Sequence, residues 1–581
     1  MFIRPCYRRI KGKRQAYWAL VESYRSERGP RQRTVAWLGK LKQSERAGVK
    51  RAAEGKDKSR YSQLQLFDHE DKPQAEWIEV DTANVRVENQ LQFGGAWLAL
   101  ELIRRLQLDE LFENVIPRGK EDIPWAKTAL ILIICRLCNP SSELHIAEHY
   151  YKSTALPELL GVPDDKIYDE RLYRALDKLL PHKEALEKHL KNRLGTLFGL
   201  DYDLLLYDVT STYFEGLCEG NPQAQRGYSR DKRADCKQVC IGLVVTRDGI
   251  PLGYEVFDGN RNDVTTWQEI VTTMEKRYGR ANRIWCGDRG MMSKANIEFM
   301  ESGDRRYIIG VSKGTLRKFE RQLLDEDWRV IREGLEVKMC PSPDDGKETY
   351  ILCRSRDRRE KEKAMHERFE RRIDEALETL RASCEKRKWK KEVIDRRVGK
   401  IMAKNSRAAG LYNVSVKDVS CRAVVSWEKD DAWREWATLN EGCYLLRTNV
   451  TDWSAEDLWQ AYIQLTEAEA AFRIHKSDLR IRPVWHQTEE RVQAHILVCF
   501  LAYVLWKTLH QMTRAAGLGD EPRRIFEELG KISLVDVVLP TRQKSVEIRR
   551  RCISRPTDHQ AILLDRLGLH LPRQLKVEPK M

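Results

Sequence analysis

Apolar positions along the chain change period several times, and each change marks a different kind of element. Between residues 14–24 and 31–41, "RQAYWALVESY" and "RQRTVAWLGKL" read as short strands joined by the turn signal "ERGP". A polar stretch, "SERAGVKRAAEGKDKSRYSQLQ", follows as a linker or loosely held helix. From about Gly94 to Leu200 apolar residues recur three and four apart, as in "AWLALELIRRLQLDELF" and "ERLYRALDKLLPHKEALEKHLKNRL", which predicts a helical domain. Strand signals return at Asp203. "DYDLLLYDVTSTYFEG" and the pair of runs around Arg247-Asp248-Gly249 predict three antiparallel strands, and the helix "DVTTWQEIVTTMEKRYG", the strand "RIWCG", the helix "SKANIEFMES" and the strand "RYIIGVS" come next.

Between Lys313 and Trp453 the pattern is interrupted. "WRVIREGLEVKMC" and "ETYILCRS" flank "PSPDDGK" as a hairpin, and a long charged helix carries its apolar stripe on Met365, Phe369, Ile373, Leu377 and Leu380. Helical spacing resumes at Ser454. The expected organisation is a basic β segment and linker (1–90), a helical and DNA-binding domain (91–200), a first core part (201–312), an insertion (313–453), a second core part (454–512) and a helical tail (513–581).

Charge narrows the choice of partner. The 581 residues contain 103 Lys and Arg against 88 Asp and Glu, a net +15, which favours a polyanionic partner. The 14 Cys are scattered, and Cys135 and Cys138 form a C-x-x-C with no second pair at zinc spacing, so reduced thiols are expected. His145 and His149 lie one helical turn apart without a third ligand. The N-terminus lacks an apolar secretory core, and "ALILIIC" and "ILVCFLAYVLW" fall short of the roughly 20 residues of a membrane span. A soluble, cytoplasmic protein with no membrane partner is expected.

Three acids stand out. Asp208 ends the apolar run Leu204–Tyr207, Asp288 ends "RIWCGD", and Glu469 lies in "AYIQLTEAEAAFRIHKSDLR", where Tyr462, Leu465, Glu469, Arg473 and Lys476 recur at helical steps and so share one face. Singly, each has an ordinary reading: a turn-capping Asp, an i, i+4 partner of Arg473, a packed tyrosine, a solvated lysine. Together, a few carboxylates that hold two divalent ions about 3.5–4 Å apart are the general solution for in-line attack on a phosphodiester. Such hard oxygen donors suit Mg²⁺ or Mn²⁺. "FDGNRND", with Asp258, Asn260, Asn262 and Asp263, reads as a loop and helix cap.

At these residues the chain resembles the DDE transposases of bacterial insertion sequences, in the cut-and-paste group with a β-strand insertion domain (the IS-four superfamily). Tyr462, Glu469 and Lys476 match that group's Tyr/Arg/Glu/Lys signature in spacing, while Leu465 stands where the signature has Arg. "YDVTSTYFEG", "GYEVFDGNRND" and "GDRGMMS" extend the likeness. The resemblance implies an α/β fold: an RNase H-like core with a mixed five-stranded sheet and helices, interrupted between Asp288 and Glu469 by the insertion. It also implies catalytic, metal-binding roles for Asp208, Asp288 and Glu469 with two Mg²⁺ or Mn²⁺ ions, and DNA contacts from Tyr462 and Lys476. Arg473 is the candidate to supply the charge missing at Leu465. The implied partners are double-stranded DNA, both element ends and target, with a homodimer assembled on paired ends. A catalytically inactive or domesticated DNA-binding protein, and a nuclease without strand transfer, are the alternatives on the same scaffold.

Overall fold

A computed structural model describes residues 2–10, 13–26, 29–39, 80–343, 348–419, 422–541 and 547–572. The polar linker expected between the first two domains lies outside them. Its central feature is a nine-stranded mixed sheet made of β1 (Leu204–Tyr213), β2 (Gln238–Thr246), β3 (Pro251–Asp258), β4 (Ile284–Gly287), β5 (Arg306–Val311), β6 (Arg329–Arg332), β7 (Leu335–Pro341), β8 (Thr349–Ser355) and β9 (Cys443–Thr448). The strand order is β6-β7-β8-β9-β5-β4-β1-β2-β3.

The half β3-β2-β1-β4-β5 is the mixed five-stranded arrangement expected of the core. β1, β2 and β3 are antiparallel neighbours, and β4 and β5 run parallel to β1. The tight β2–β3 connection turns at Gly249, whose φ of +72° suits a residue without a side chain. β1 departs from the sequence reading: the strand does not stop at Asp208 but continues through buried Thr210, Ser211 and Thr212 to Tyr213. Pairing with β2 over this whole length keeps the backbone in the ladder although the apolar run has ended.

The alternation of β1 divides the core in two. Leu205, Tyr207 and Val209 face α1 (Asp263–Tyr278) and α2 (Lys294–Ser302), packing with Trp267, Ile270, Met274, Ile297 and Met300. Leu204 and Leu206 face the other way, into the cluster that contains Ala468, Ala471 and Phe472. Those residues belong to α4 (Leu465–Ser477), which follows α3 (Ala455–Ile463) and precedes the long buried α5 (Glu489–Ala515). α5 is long and apolar enough to cross a membrane by length and composition, and 89% of its most apolar stretch is buried inside the protein. Helices Trp125–Cys138 and Asp169–Leu179 of the helical region pack against it.

The insertion does not form a body apart from the sheet. Its strands β6, β7, β8 and β9 extend the core sheet edge to edge, because β9 pairs antiparallel with β5. Between β8 and β9 the chain leaves the sheet as the helix Arg356–Lys386, with Ile373, Leu377 and Leu380 buried, and the hairpin Tyr412–Val419/Arg422–Lys429. The final segment also departs from expectation: besides two helices it contains strands Ser533–Pro540 and Glu547–Ile553, the first pairing with Arg86–Gln92. Buried Leu534, Asp536 and Val538 alternate with half-buried neighbours in "SLVDVVLP", the period of a strand with one covered face. The basic N-terminal strands form a separate antiparallel three-stranded sheet, Phe2–Ile10, Lys13–Ser26 and Gly29–Gly39.

Candidate active site

The parallel register of β1 and β4 determines the relation between the two aspartates. Tyr207 lies opposite Gly287, so Asp208 and Asp288 are the next residues on adjacent chains. Neighbouring strands lie about 4.8 Å apart. Gly287 is needed where it stands: a Cβ there would meet Cζ3 of Trp267 at 2.4 Å. Asp288 is exposed, and its carbonyl accepts the Met291 N–H at 3.0 Å as the chain turns away.

Asp208 shares the parity of Leu204 and Leu206 and therefore points to the α4 side of the sheet. Its Oδ1 accepts the Val209 N–H at 2.8 Å. Burial pushes its carboxyl up to about 7; Asp288 and Asp263 add to the rise, while the Val209 N–H and Arg230 oppose it. A carboxyl raised this way by burial and by acidic neighbours is stabilised as the anion when a cation joins it.

α4 brings the third acid. It packs on β1 through Ala468, Ala471, Phe472 and His475, leaving Glu469 exposed on its flank and without a hydrogen-bond or ion-pair partner among the described residues. The three carboxylates do not all come within 4.8 Å of one another. Asp208 and Asp288 are strand neighbours, and Glu469 lies on the helix packed against β1. The donors are all carboxylate oxygens, a set that fits hard divalent cations and not thiophilic ones.

The shared helical face read from the sequence is interrupted. Gln464 separates α3 from α4, so Tyr462 belongs to the preceding helix. Tyr462 lies beside Gly310 of β5, where an added Cβ would come within 2.4 Å of its hydroxyl. Burial, and secondarily Asp288, drives its phenol well above the ordinary range. Leu465 begins α4 and packs against the core. The Arg473 side chain is exposed and free of partners among the described residues.

Lys476 is not a free cation. It forms an ion pair at 2.8 Å with Asp231, whose side chain is only 5% exposed and which also pairs with Arg482. Burial lowers the Lys476 pKa and Asp231 opposes that shift. Asp231 belongs to the β1–β2 connection, a segment the sequence reading passed over. Its neighbour Arg230 pairs with Asp263 and lies within the electrostatic reach of Asp208. The available signal was "RGYSRDKRADCK", a basic run with Tyr228 inside it, and Tyr228 is 85% exposed. Asp263, read as a cap, sits at the head of α1 with Arg230, while Asp258 and Asn260 are exposed.

The remaining histidines separate by burial. His475 is a core residue, bonded to the Ala471 carbonyl at 2.8 Å and pushed down to about 4 by burial. His145 and His149 have ring centroids 5.2 Å apart and belong to no three-ligand group among the described residues.

A family model described as the transposase DDE domain matches residues 199–505, more than half of the chain and all three acids. A second, described as the N-terminal domain of IS1634 family transposases, matches residues 3–65. Among solved structures the chain is similar to that titled piggyBac transposase synaptic complex with hairpin DNA, at 8% identity over 78% of this chain and 82% of that one, with a TM-score of 0.35. No curated protein matches. By the match over residues 199–505, the chain belongs to the DDE transposase family, whose fold is RNase H-like and whose members are metal-dependent DNA transposases.

Proposed function

We propose that this transposase binds the terminal inverted repeats of its own insertion sequence and cuts and joins DNA at Asp208, Asp288 and Glu469. The observation that carries the reading is the lateral placement of Asp208 and Asp288 on parallel strands beneath the helix that presents Glu469. Two Mg²⁺ ions, or Mn²⁺, are the proposed cofactors. Divalent cations at such a site promote attack by water or a 3′-hydroxyl and stabilise the departing oxygen.

The chain's own residues supply the frame. β1 and β4 hold the two aspartates in register, α4 packs on β1 and carries Glu469, and Arg230, paired with Asp263, lies within electrostatic reach of Asp208. Arg473, exposed one turn beyond Glu469, is the proposed contact to a DNA phosphate in place of the arginine absent at Leu465. Tyr462 and Lys476 are proposed to line the same track, Lys476 exchanging or sharing its pairing with Asp231. The basic N-terminal sheet and the helical region 91–200 are the proposed readers of the element ends, with phosphate contacts for affinity and base contacts for specificity.

A homodimer on paired ends, acting in the cytoplasm, completes the reading. It is tested by incubating the full chain and Mg²⁺ with a plasmid carrying the DNA that flanks its coding region. Cleavage at inverted repeats, followed by joining of a pre-cut end to target DNA, is expected. Cleavage without joining would indicate a nuclease instead.

A further inference from the structure

A second group of potential ligands lies away from the three acids. Glu143, just past the helix Trp125–Cys138, meets His486 from the segment after α4 and His495 from α5. One ligand atom from each residue falls within 4.8 Å of the other two. The side chains are almost closed to solvent: 7% exposed for Glu143 and 8% for His486. His495 is 6% exposed as a residue. They border a cavity of about 280 Å³ that Arg136, Tyr173 and Trp485 also line.

Two of the contacts around the group are long for hydrogen bonds. His486 Nε2 lies 3.4 Å from Glu143 Oε1, beyond the 2.7–2.9 Å of a charge-assisted bond. Arg136 Nη2 lies 3.4 Å from His495 Nδ1, and His495 Nε2 is 3.2 Å from the Ile481 carbonyl. Two ligands each about 2.1 Å from a tetrahedral ion stand about 3.4 Å apart. The His486–Glu143 separation is that of a ligand edge.

We propose that Glu143, His486 and His495 bind one transition-metal ion of the zinc type, independently of the catalytic acids, and so tie the helical region to the core. Two imidazoles and a carboxylate favour a borderline ion such as Zn²⁺ over Mg²⁺, which takes oxygen donors. The cavity leaves space for a water as fourth ligand. His495 gives up its contact to Arg136 or to the Ile481 carbonyl on binding. Glu143 is far in sequence from the two histidines, so the ion acts as a cross-link between the helical region and the core and raises stability by binding only the folded chain.

The test uses the full chain carrying Asp208→Asn, Asp288→Asn and Glu469→Gln, which removes the acidic set as a competing site. After chelation, titration calorimetry with Zn²⁺ is expected to show one more bound ion than in the same chain with His486→Ala added. Glu143→Gln, nearly isosteric, is expected to weaken that ion by about 100-fold or more, as a lost ligand costs at least what a lost supporting contact does. Zinc should raise the thermal midpoint of the parent and not of either variant. Zinc binding unchanged by both substitutions would assign the ions to surface thiols and overturn the proposal, as would absence of binding in the parent.

Discussion

Asp208 and Asp288 are lateral neighbours on parallel strands, each one residue beyond the paired Tyr207 and Gly287. On the proposed reading the pairing makes them a unit, so that a cation serving one lies near the other. Asp288→Asn should therefore lower Mn²⁺ affinity by about 10-fold or more without loss of fold, since one ligand disappears and no core side chain does. Calorimetric titration checks this, and unaltered Mn²⁺ binding would separate Asp288 from the site.

The position of Tyr462 is testable through its neighbour. Gly310→Ala places a methyl 2.4 Å from the Tyr462 hydroxyl and 3.1 Å from the Arg289 amide nitrogen. Overpacking of this kind costs about 1–3 kcal/mol. Adding Tyr462→Phe should recover part of the loss, because the nearest atom is removed. Denaturant unfolding of the four-member cycle measures it, and strict additivity would mean that the two groups do not meet.

Asp231 holds two cations at once. With its side chain 5% exposed, and those of Lys476 and Arg482 at 14% and 31%, Asp231→Asn leaves partly buried charges unpaired and should destabilise the fold by about 3 kcal/mol, the lower end for a broken buried pair. Chemical denaturation reads this directly. A change below about 1 kcal/mol, as for an exposed pair, would show that solvent takes over the pairing.

Arg473 and Lys476 should differ in their response to salt. Arg473→Ala, which removes an exposed and unpaired cation, is expected to lower the slope of log K against log salt for end binding by about one unit. Lys476→Ala does the same only if Lys476 leaves Asp231 for a phosphate; otherwise it lowers stability and leaves the slope unchanged. Fluorescence-anisotropy titrations across a salt series distinguish the two.

Much of the core was legible because its signals are local. Leu204–Tyr207, the Asp-Gly turn at Gly249 and the apolar spacing of α1 each declare an element within a few residues, and the two aspartates follow directly on the apolar runs of β1 and β4. The connections that complete the site are not local. Lys476 reads as a solvated charge until Asp231, distant in sequence, is brought against it, and Arg230 has no evident task until Asp263 and Asp208 share its neighbourhood. The insertion reads as a separate unit because β9, the strand that pairs with β5, comes only after the long helix Arg356–Lys386 and the hairpin that follows it. Only the β5–β9 pairing joins its strands to the core sheet. The strands at Ser533 and Glu547 escape the sequence reading because their residue types do not alternate: "SLVDVVLP" buries Asp536 and leaves Val535 and Val537 half-buried, and "EIRRRCI" carries three consecutive arginines.

If Asp208, Asp288 and Glu469 act as one metal-dependent site, each is required for cleavage of a supercoiled plasmid bearing the element ends in Mg²⁺. Asp208→Asn, Asp288→Asn and Glu469→Gln are compared singly with the parent, and end binding is measured in parallel. Cleavage is expected to fall in all three, by about 10³-fold or more as for removal of a group essential to transition-state stabilisation, with end binding retained. Near-parental nicking by any one of them, and by Glu469→Gln above all, would contradict a single shared site.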